Sequence, residues 1–251
     1  MIDLHAIAAS LPRGSGRVHA TVKDGLAEVV LDHPARRNAF TPHMMVDLAG
    51  LDVSGARCIL LHGEGQSFCS GGDLGAVRQH LAVPGAGRAL ATFMANAIAR
   101  LSRHAPIVGC LEGHALGGGA ELLAACDIVI ASPSAEVGFV QARLGVSPGF
   151  GGGAFLARRV GPGRTRAILV AAERLSASRA WSLGLVEEIA DPPLPRAREL
   201  ATRIAAMPPE AVAGAREVAE AWVQGDGGAT ELDVFDRLWG GPAHIAALDR
   251  R

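Results

Sequence analysis

The sequence predicts an α/β protein, and three observations point there. Short apolar, strand-like runs alternate with helical patterns across residues 17–190, the order expected of an α/β fold. From Leu194 onward only helical patterns remain, broken at Pro208-Pro209, Gly225–Gly228 and Gly240-Gly241-Pro242. The chain has 251 residues, 49% hydrophobic and 20% charged, enough to bury a sizeable core and too apolar for a disordered chain. Two regions are therefore expected: a strand-containing core over 1–190 and a helical region over 191–251.

Taken in order, residues 1–16 read as a loosely ordered arm. Val18–Val22 and Leu26–Leu31 alternate around Lys23-Asp24-Gly25, a hairpin signal. His33-Pro34 stops the second strand, and Thr41-Pro42 opens a helix with Thr as N-cap and Pro in its first turn. Cys58–Leu61 is an apolar strand followed by a Gly-rich loop, Gly63–Asp73. Residues 87–103 read as a helix with Leu90, Phe93, Met94, Ile98 and Leu101 on one face. Ile107–Leu111 is a strand, Gly117-Gly118-Gly119 leads into an apolar helix, Ala120–Cys126, and Asp127–Ile130 is a strand again. Further helices are expected to start near Gly151, Gly163 and Ser178. No internal repeat or low-complexity run interrupts the pattern.

Composition excludes several mechanisms. There is no tyrosine to act as acid, base or nucleophile. Lys23 is the only lysine and lies in the hairpin turn, which argues against a Schiff base and leaves no Gly-Lys-Ser/Thr for a P-loop. The net charge of −1 does not suggest a nucleic-acid surface. Apolar stretches such as Cys58–Leu61 and Ile128–Ala131 are too short to span a bilayer, and Met1–His5 does not resemble the start of a signal peptide. The four cysteines, Cys58, Cys69, Cys110 and Cys126, form no Cys-x-x-Cys pair and are read as buried free thiols. A cytoplasmic protein is expected. The nine histidines show no metal-ligand spacing, so no metal site is expected.

Some motifs look like sites without the chemistry. Gly145-Val146-Ser147-Pro148-Gly149 has the outline of a hydrolase nucleophile elbow. There, the residue after the serine donates its N–H to an oxyanion, and here it is Pro148, which has none. Gly63-Glu64-Gly65 is not completed as a dinucleotide fingerprint, because Phe occupies position 68. Two Gly-rich loops after buried strands remain, Phe68–Leu74 and Gly113–Leu122. Each reads either as a tight turn or as backbone laid open to a ligand. Glu121 is the one formally charged residue between Glu112 and Asp127. It reads either as a complement to its own helix dipole or as a functional carboxylate, and the two are compatible.

At these residues the sequence resembles the crotonase, or enoyl-CoA hydratase/isomerase, superfamily. The matching stretches are His33–Phe40, Phe68–Leu74, Gly113–Asp127, Leu144–Gly152 and Ala180–Glu188, in family order over nearly the whole chain. The resemblance implies a β-β-α spiral core and a C-terminal helical region that assembles into a homotrimer or a dimer of trimers. It implies an acyl-CoA substrate, with coenzyme A as thioester carrier and no other cofactor. On that pattern the N–H groups of Gly72 and Gly118 hold the thioester oxygen, each such donor being worth about 3 kcal/mol. Arg36, Ala39, Ser70, Gly71, Asp73, Leu74, Leu116 and Gly117 would line the substrate path.

One departure narrows the reaction. Hydratases of the superfamily work with two glutamates; the first matches Glu121, and the second falls at Gln141, which cannot exchange protons as a carboxyl group does. The sequence is closer to the ethylmalonyl-CoA decarboxylase subgroup through Phe68–Val77, Gly117–Glu121 with Ala124–Asp127, Phe139-Val140, and Leu238–Ala243, although that subgroup normally carries a histidine where this chain has Gln141. The resemblance thus implies loss of CO2 from a short 2-alkylmalonyl-CoA, with Glu121 protonating the α-carbon and Gln141 orienting the substrate. The alternatives are a 2-enoyl-CoA hydratase or isomerase working with Glu121 alone, an acyl-CoA enzyme with a larger acyl pocket, and a non-catalytic RNA-binding protein of the same fold.

Overall fold

The computed structural model describes residues 4–11, 13–73, 75 and 84–249. A six-stranded sheet forms the centre, built from β1 (Arg17–Lys23), β2 (Leu26–Asp32), β3 (Cys58–Gly63), β4 (Ile107–Leu111), β6 (Ile128–Ala131) and β9 (Glu188–Ile189), in that order. Only β1 runs antiparallel to its neighbour. The hairpin turns at Asp24 (φ 55°) and Gly25 (φ 84°), as the Lys23-Asp24-Gly25 signal requires. A smaller sheet, β5 (His114–Leu116), β7 (Glu136–Gly138) and β8 (Leu175–Ser176), stands beside the first.

Helices are α1 (Leu4–Ser10), α2 (Pro42–Gly50), α3 (Ala86–His104), α4 (Gly118–Ala124), α5 (Gly152–Ala171), α6 (Ala177–Leu183), α7 (Pro193–Ala205), α8 (Pro209–Gln224), α9 (Gly227–Leu238) and α10 (Pro242–Leu248). The central strands are apolar on both faces because both are covered. Ile59 and Leu61 face the main core with Met44, Leu48, Met94, Ile98, Leu122 and Leu123. Cys58 and Leu60, together with Val108, Cys110 and Ile130, face α7 through Ala197, Leu200, Ala201 and Ala205. The first helix of the C-terminal region therefore completes the core, while α8 and α9 pack chiefly on one another. Trp222, Leu232, Phe235 and Trp239 remain exposed on that pair.

The expected strands and helices are present, including the Thr41 cap, whose Oγ1 accepts the Met44 N–H at 3.2 Å. The arm expected over 1–16 is different: Leu4–Ser10 is helical, because Leu4 and Ala8, one turn apart, are both buried in contact with α2 and α3. The two helices expected near Gly151 and Gly163 run as one stretch with a break at Gly161 (φ 79°) and Pro162. The short strands β5, β7, β8 and β9 carry too few residues to show alternation. All four cysteines are free and buried. Burial pushes the thiols of Cys58, Cys69 and Cys110 up to about 12, so none is poised as a nucleophile. Among the described residues no helix is long and apolar enough to cross a membrane.

An ionic latch ties α7 to the sheet. Arg198 grips both carboxylate oxygens of Glu28 on β2, and His62 Nε2 lies 2.9 Å from Glu28 Oε1. The Arg198 hydrogen bond, with help from His62 and against a partial burial penalty, holds the Glu28 carboxyl down at about 2, against 4.5 for an ordinary glutamate. A depressed acid stabilises the fold fully above its unfolded value, and that contribution is lost as pH falls from about 4.5 to about 2. The whole shift would correspond to about 3 kcal/mol, which solvent screening at a partly exposed pair reduces to about 1 kcal/mol. Urea unfolding of wild type and Glu28→Gln should therefore show a gap at neutral pH that closes near pH 2. A gap independent of pH would dissociate the latch from Glu28 ionisation.

Candidate active site

Backbone pairing brings the two Gly-rich loops together. Cys69 bridges Ala115: the Cys69 N–H donates to His114 O at 2.9 Å, and the Leu116 N–H donates to Cys69 O at 2.9 Å. Phe40 bridges Gly72: the Phe40 N–H donates to Gly71 O at 2.7 Å, and the Asp73 N–H donates to Phe40 O at 2.8 Å. In this parallel pattern the N–H of Gly72 itself points away from Phe40. Gly71 (φ 102°) is close enough to the second loop that a Cβ there would stand 3.0 Å from Leu116 O and 3.5 Å from Gly118 N. Gly118 opens α4, so its N–H has no partner within the helix. Among the described residues neither the Gly72 nor the Gly118 N–H is engaged by another group.

The stretch before α2 is laced to the same loop. The Arg36 carbonyl accepts the Ser70 hydroxyl at 3.2 Å, and the Arg37 carbonyl accepts the Ser70 N–H at 2.9 Å. Arg36, Ala39, Ser70, Gly71, Gly72 and Asp73 thus meet at one edge, with Leu116, Gly117 and Gly118 alongside; Leu74 lies outside the described residues, as do Ala76 and Val77 of the Phe68–Val77 run. Asn38 holds this edge and carried no assigned role. It is fully buried at φ 55°; its Oδ1 accepts the His33 N–H at 2.7 Å, and its Nδ2 donates to Glu64 O at 2.9 Å and Ser67 O at 2.6 Å. The Asn in His33–Phe40 was its only signal in the sequence.

Glu121, in the first turn of α4, is 2% exposed. Its carboxylate reaches across to the start of α5: Oε2 accepts the N–H groups of Phe150 (2.7 Å) and Gly152 (2.9 Å). Oε1 accepts Gln141 Nε2 (2.8 Å) and, more weakly, the Gly149 N–H (3.3 Å). A buried carboxylate is tolerable here because four N–H donors surround it. It also serves as the N-terminal acceptor that α5 lacks from its own N-cap, Gly151. Gly152 is needed for this contact, since a Cβ there would stand 2.3 Å from Glu121 Cγ. Gln141, on a short 3-10 turn, is 7% exposed, and its Oε1 has no hydrogen-bond partner among the described residues.

Ser147 sits in the exposed loop between that turn and α5, with no strand before it, unlike a nucleophile elbow. A cleft of about 460 Å³ lined by Arg164, Ile168, Glu173, Arg179 and Leu183 contains none of the expected site residues. Among the described residues no group of three or more His, Cys, Asp or Glu side chains could hold a metal ion.

Residues 21–243 match the family model described as enoyl-CoA hydratase/isomerase. The chain belongs to this family, the crotonases. As a crotonase it is an acyl-CoA-processing enzyme. It is 34% identical over 241 residues to ethylmalonyl-CoA decarboxylase of Gallus gallus, covering 90% of this chain and 80% of that one. It is 30% identical over 244 residues to the enzyme of that name from Mus musculus, covering 91% and 75%. Among solved structures, an enoyl-CoA hydratase from Thermoplasma volcanium superposes with a TM-score of 0.84 at 25% identity, covering 93% of this chain and 96% of that one. One from Polaromonas sp. JS666 gives 0.83 at 28% identity, covering 94% and 98%. The crotonase fold expected for the core is the fold observed.

Proposed function

We propose that this crotonase decarboxylates a short 2-alkylmalonyl-CoA, such as ethylmalonyl- or methylmalonyl-CoA. The observation that carries this reading is the buried Glu121–Gln141 pair: one carboxylate, whose partner is an amide. Adding water across a double bond calls for two groups that exchange protons, and an amide does not. Decarboxylation calls for one proton, delivered after the carbon–carbon bond has broken. The similarity to ethylmalonyl-CoA decarboxylases supports the same choice.

The Gly72 and Gly118 N–H groups would donate to the thioester oxygen as negative charge develops on it. The electron pair of the breaking C–CO2 bond passes into the thioester as an enolate, and CO2 departs neutral. The α-carbon then takes a proton from Glu121, which regains it from solvent before the next turnover. The proton's natural place is Oε1, where it replaces the hydrogen bond from Gln141 Nε2, because the other three donors are backbone N–H groups that cannot turn away. Turning the Gln141 amide by half a rotation presents its otherwise unpartnered Oε1 to that proton. Gln141 would then follow the proton on Glu121 without transferring one.

The exposed Trp222, Phe235 and Trp239 support association through the C-terminal helices, in keeping with a homotrimer or a dimer of trimers. The decisive test of the reaction is mass spectrometry after separate incubation with ethylmalonyl-, methylmalonyl- and crotonyl-CoA. Loss of CO2 from the first two, with crotonyl-CoA unchanged, is expected. Gain of water by crotonyl-CoA at a comparable rate would instead support a single-glutamate hydratase.

A further inference from the structure

Phe150 carries no group that could take part in bond making, yet its ring occupies the space beside Gly118. A Cβ built on Gly118 would stand 2.5 Å from Phe150 Cε2 and 2.8 Å from Cδ2. The volume that any other residue at position 118 would fill with its own side chain is filled here by a ring from the far end of the 145–151 loop. Two sets of contacts hold the backbone that carries that ring. The Phe150 N–H donates to Glu121 Oε2 at 2.7 Å. The flanking glycines lie against α3: a Cβ on Gly149 would be 3.3 Å from Ala91 Cβ, and one on Gly151 would be 3.7 Å from Ala95 Cβ. The ring is only half-buried, so part of it is packed on the core and part is not.

We propose that Phe150 is a specificity-determining residue, forming the wall that limits the length of the acyl group. The inference rests on the reading that the Gly118 N–H receives the thioester oxygen. A carbonyl oxygen at hydrogen-bond distance from that N–H, about 2.9 Å, brings its α-carbon close to the Gly118 Cα and so to the ring. A short α-substituent gains apolar contact there; a long one meets a ring that packs on the core and whose backbone the Glu121 clamp and α3 hold. Apolar pockets of this kind discriminate by roughly 10–200-fold per missing or extra methylene group.

The test compares wild type, Phe150→Leu and Phe150→Ala. Calorimetry would give Kd for butyryl-CoA and octanoyl-CoA, the products expected from ethylmalonyl- and hexylmalonyl-CoA, and kcat/KM would be measured for the two malonyl thioesters. Wild type should prefer the short chain. Phe150→Ala should shift the Kd ratio toward octanoyl-CoA by at least about tenfold, with Phe150→Leu in between. An unchanged ratio overturns the wall, and so does equal loss of both affinities in both variants, which is what a purely structural ring would give. If no thioester loses CO2 in wild type but the binding ratio still shifts, the decarboxylase reading fails and the wall stands. Decarboxylation with an unchanged ratio removes the wall alone.

Discussion

Glu121→Gln should lower kcat for decarboxylation by about 10²–10⁴-fold, the usual contribution of a positioned general acid. KM should change far less, because the proposed hydrogen bonds to the thioester come from Gly72 and Gly118. The substitution also touches the structure. Glutamine turns one acceptor oxygen into an NH2 donor in a ring made of Gln141, Gly149, Phe150 and Gly152 donors. Losing a charged acceptor there should cost about 2–3 kcal/mol of stability. Unfolding and kinetics therefore have to be measured on the same preparation. A variant that is less stable yet retains full kcat would show that Glu121 is a clamp for the start of α5 and not the proton donor.

Asn38→Ala should be the most destabilising single change at the site, by about 4 kcal/mol. It leaves the His33 N–H, Glu64 O and Ser67 O without their partner, at about 1–3 kcal/mol each but less than additively. It also puts alanine into the left-handed region, at roughly 1–2 kcal/mol. Asn38→Gly separates the two costs: it relieves the backbone and still lacks the hydrogen bonds, so it should recover about 1 kcal/mol of the loss. Denaturant unfolding of the two variants is the measurement. A loss below about 1 kcal/mol for the alanine variant would mean that the loop finds other partners.

Much of the fold was legible because much of it is local. The Asp24-Gly25 turn, the Thr41 cap and the apolar runs of β3 and β4 are each written within a few residues, and each folds as written. The helix at Leu4–Ser10 was not legible, because seven residues make a helix only when an existing surface buries Leu4 and Ala8. The same holds for β5, β7 and β8, two or three residues each, which exist as strands only because they pair with one another.

The candidate site divides along the same line. Its residue types and the order of its two Gly-rich loops were in the sequence, and so was the departure at Gln141. The sequence by itself determined that one carboxylate, Glu121, stands on an apolar helix, and that nothing in the chain could lend it a tyrosine. Its two readings, complement to its own helix dipole and functional carboxylate, were compatible. The tertiary structure decided what its oxygens meet: Glu121 closes on N–H groups of Gly149, Phe150 and Gly152, which lie 28 to 31 residues downstream. It decided, too, that Phe150 stands against Gly118 and that Asn38 holds the neighbouring loop. Spacing along a chain reports helix and strand periodicity. Which distant donor meets a buried acceptor is set by packing, where leaving that acceptor unpaired costs more than any local preference supplies.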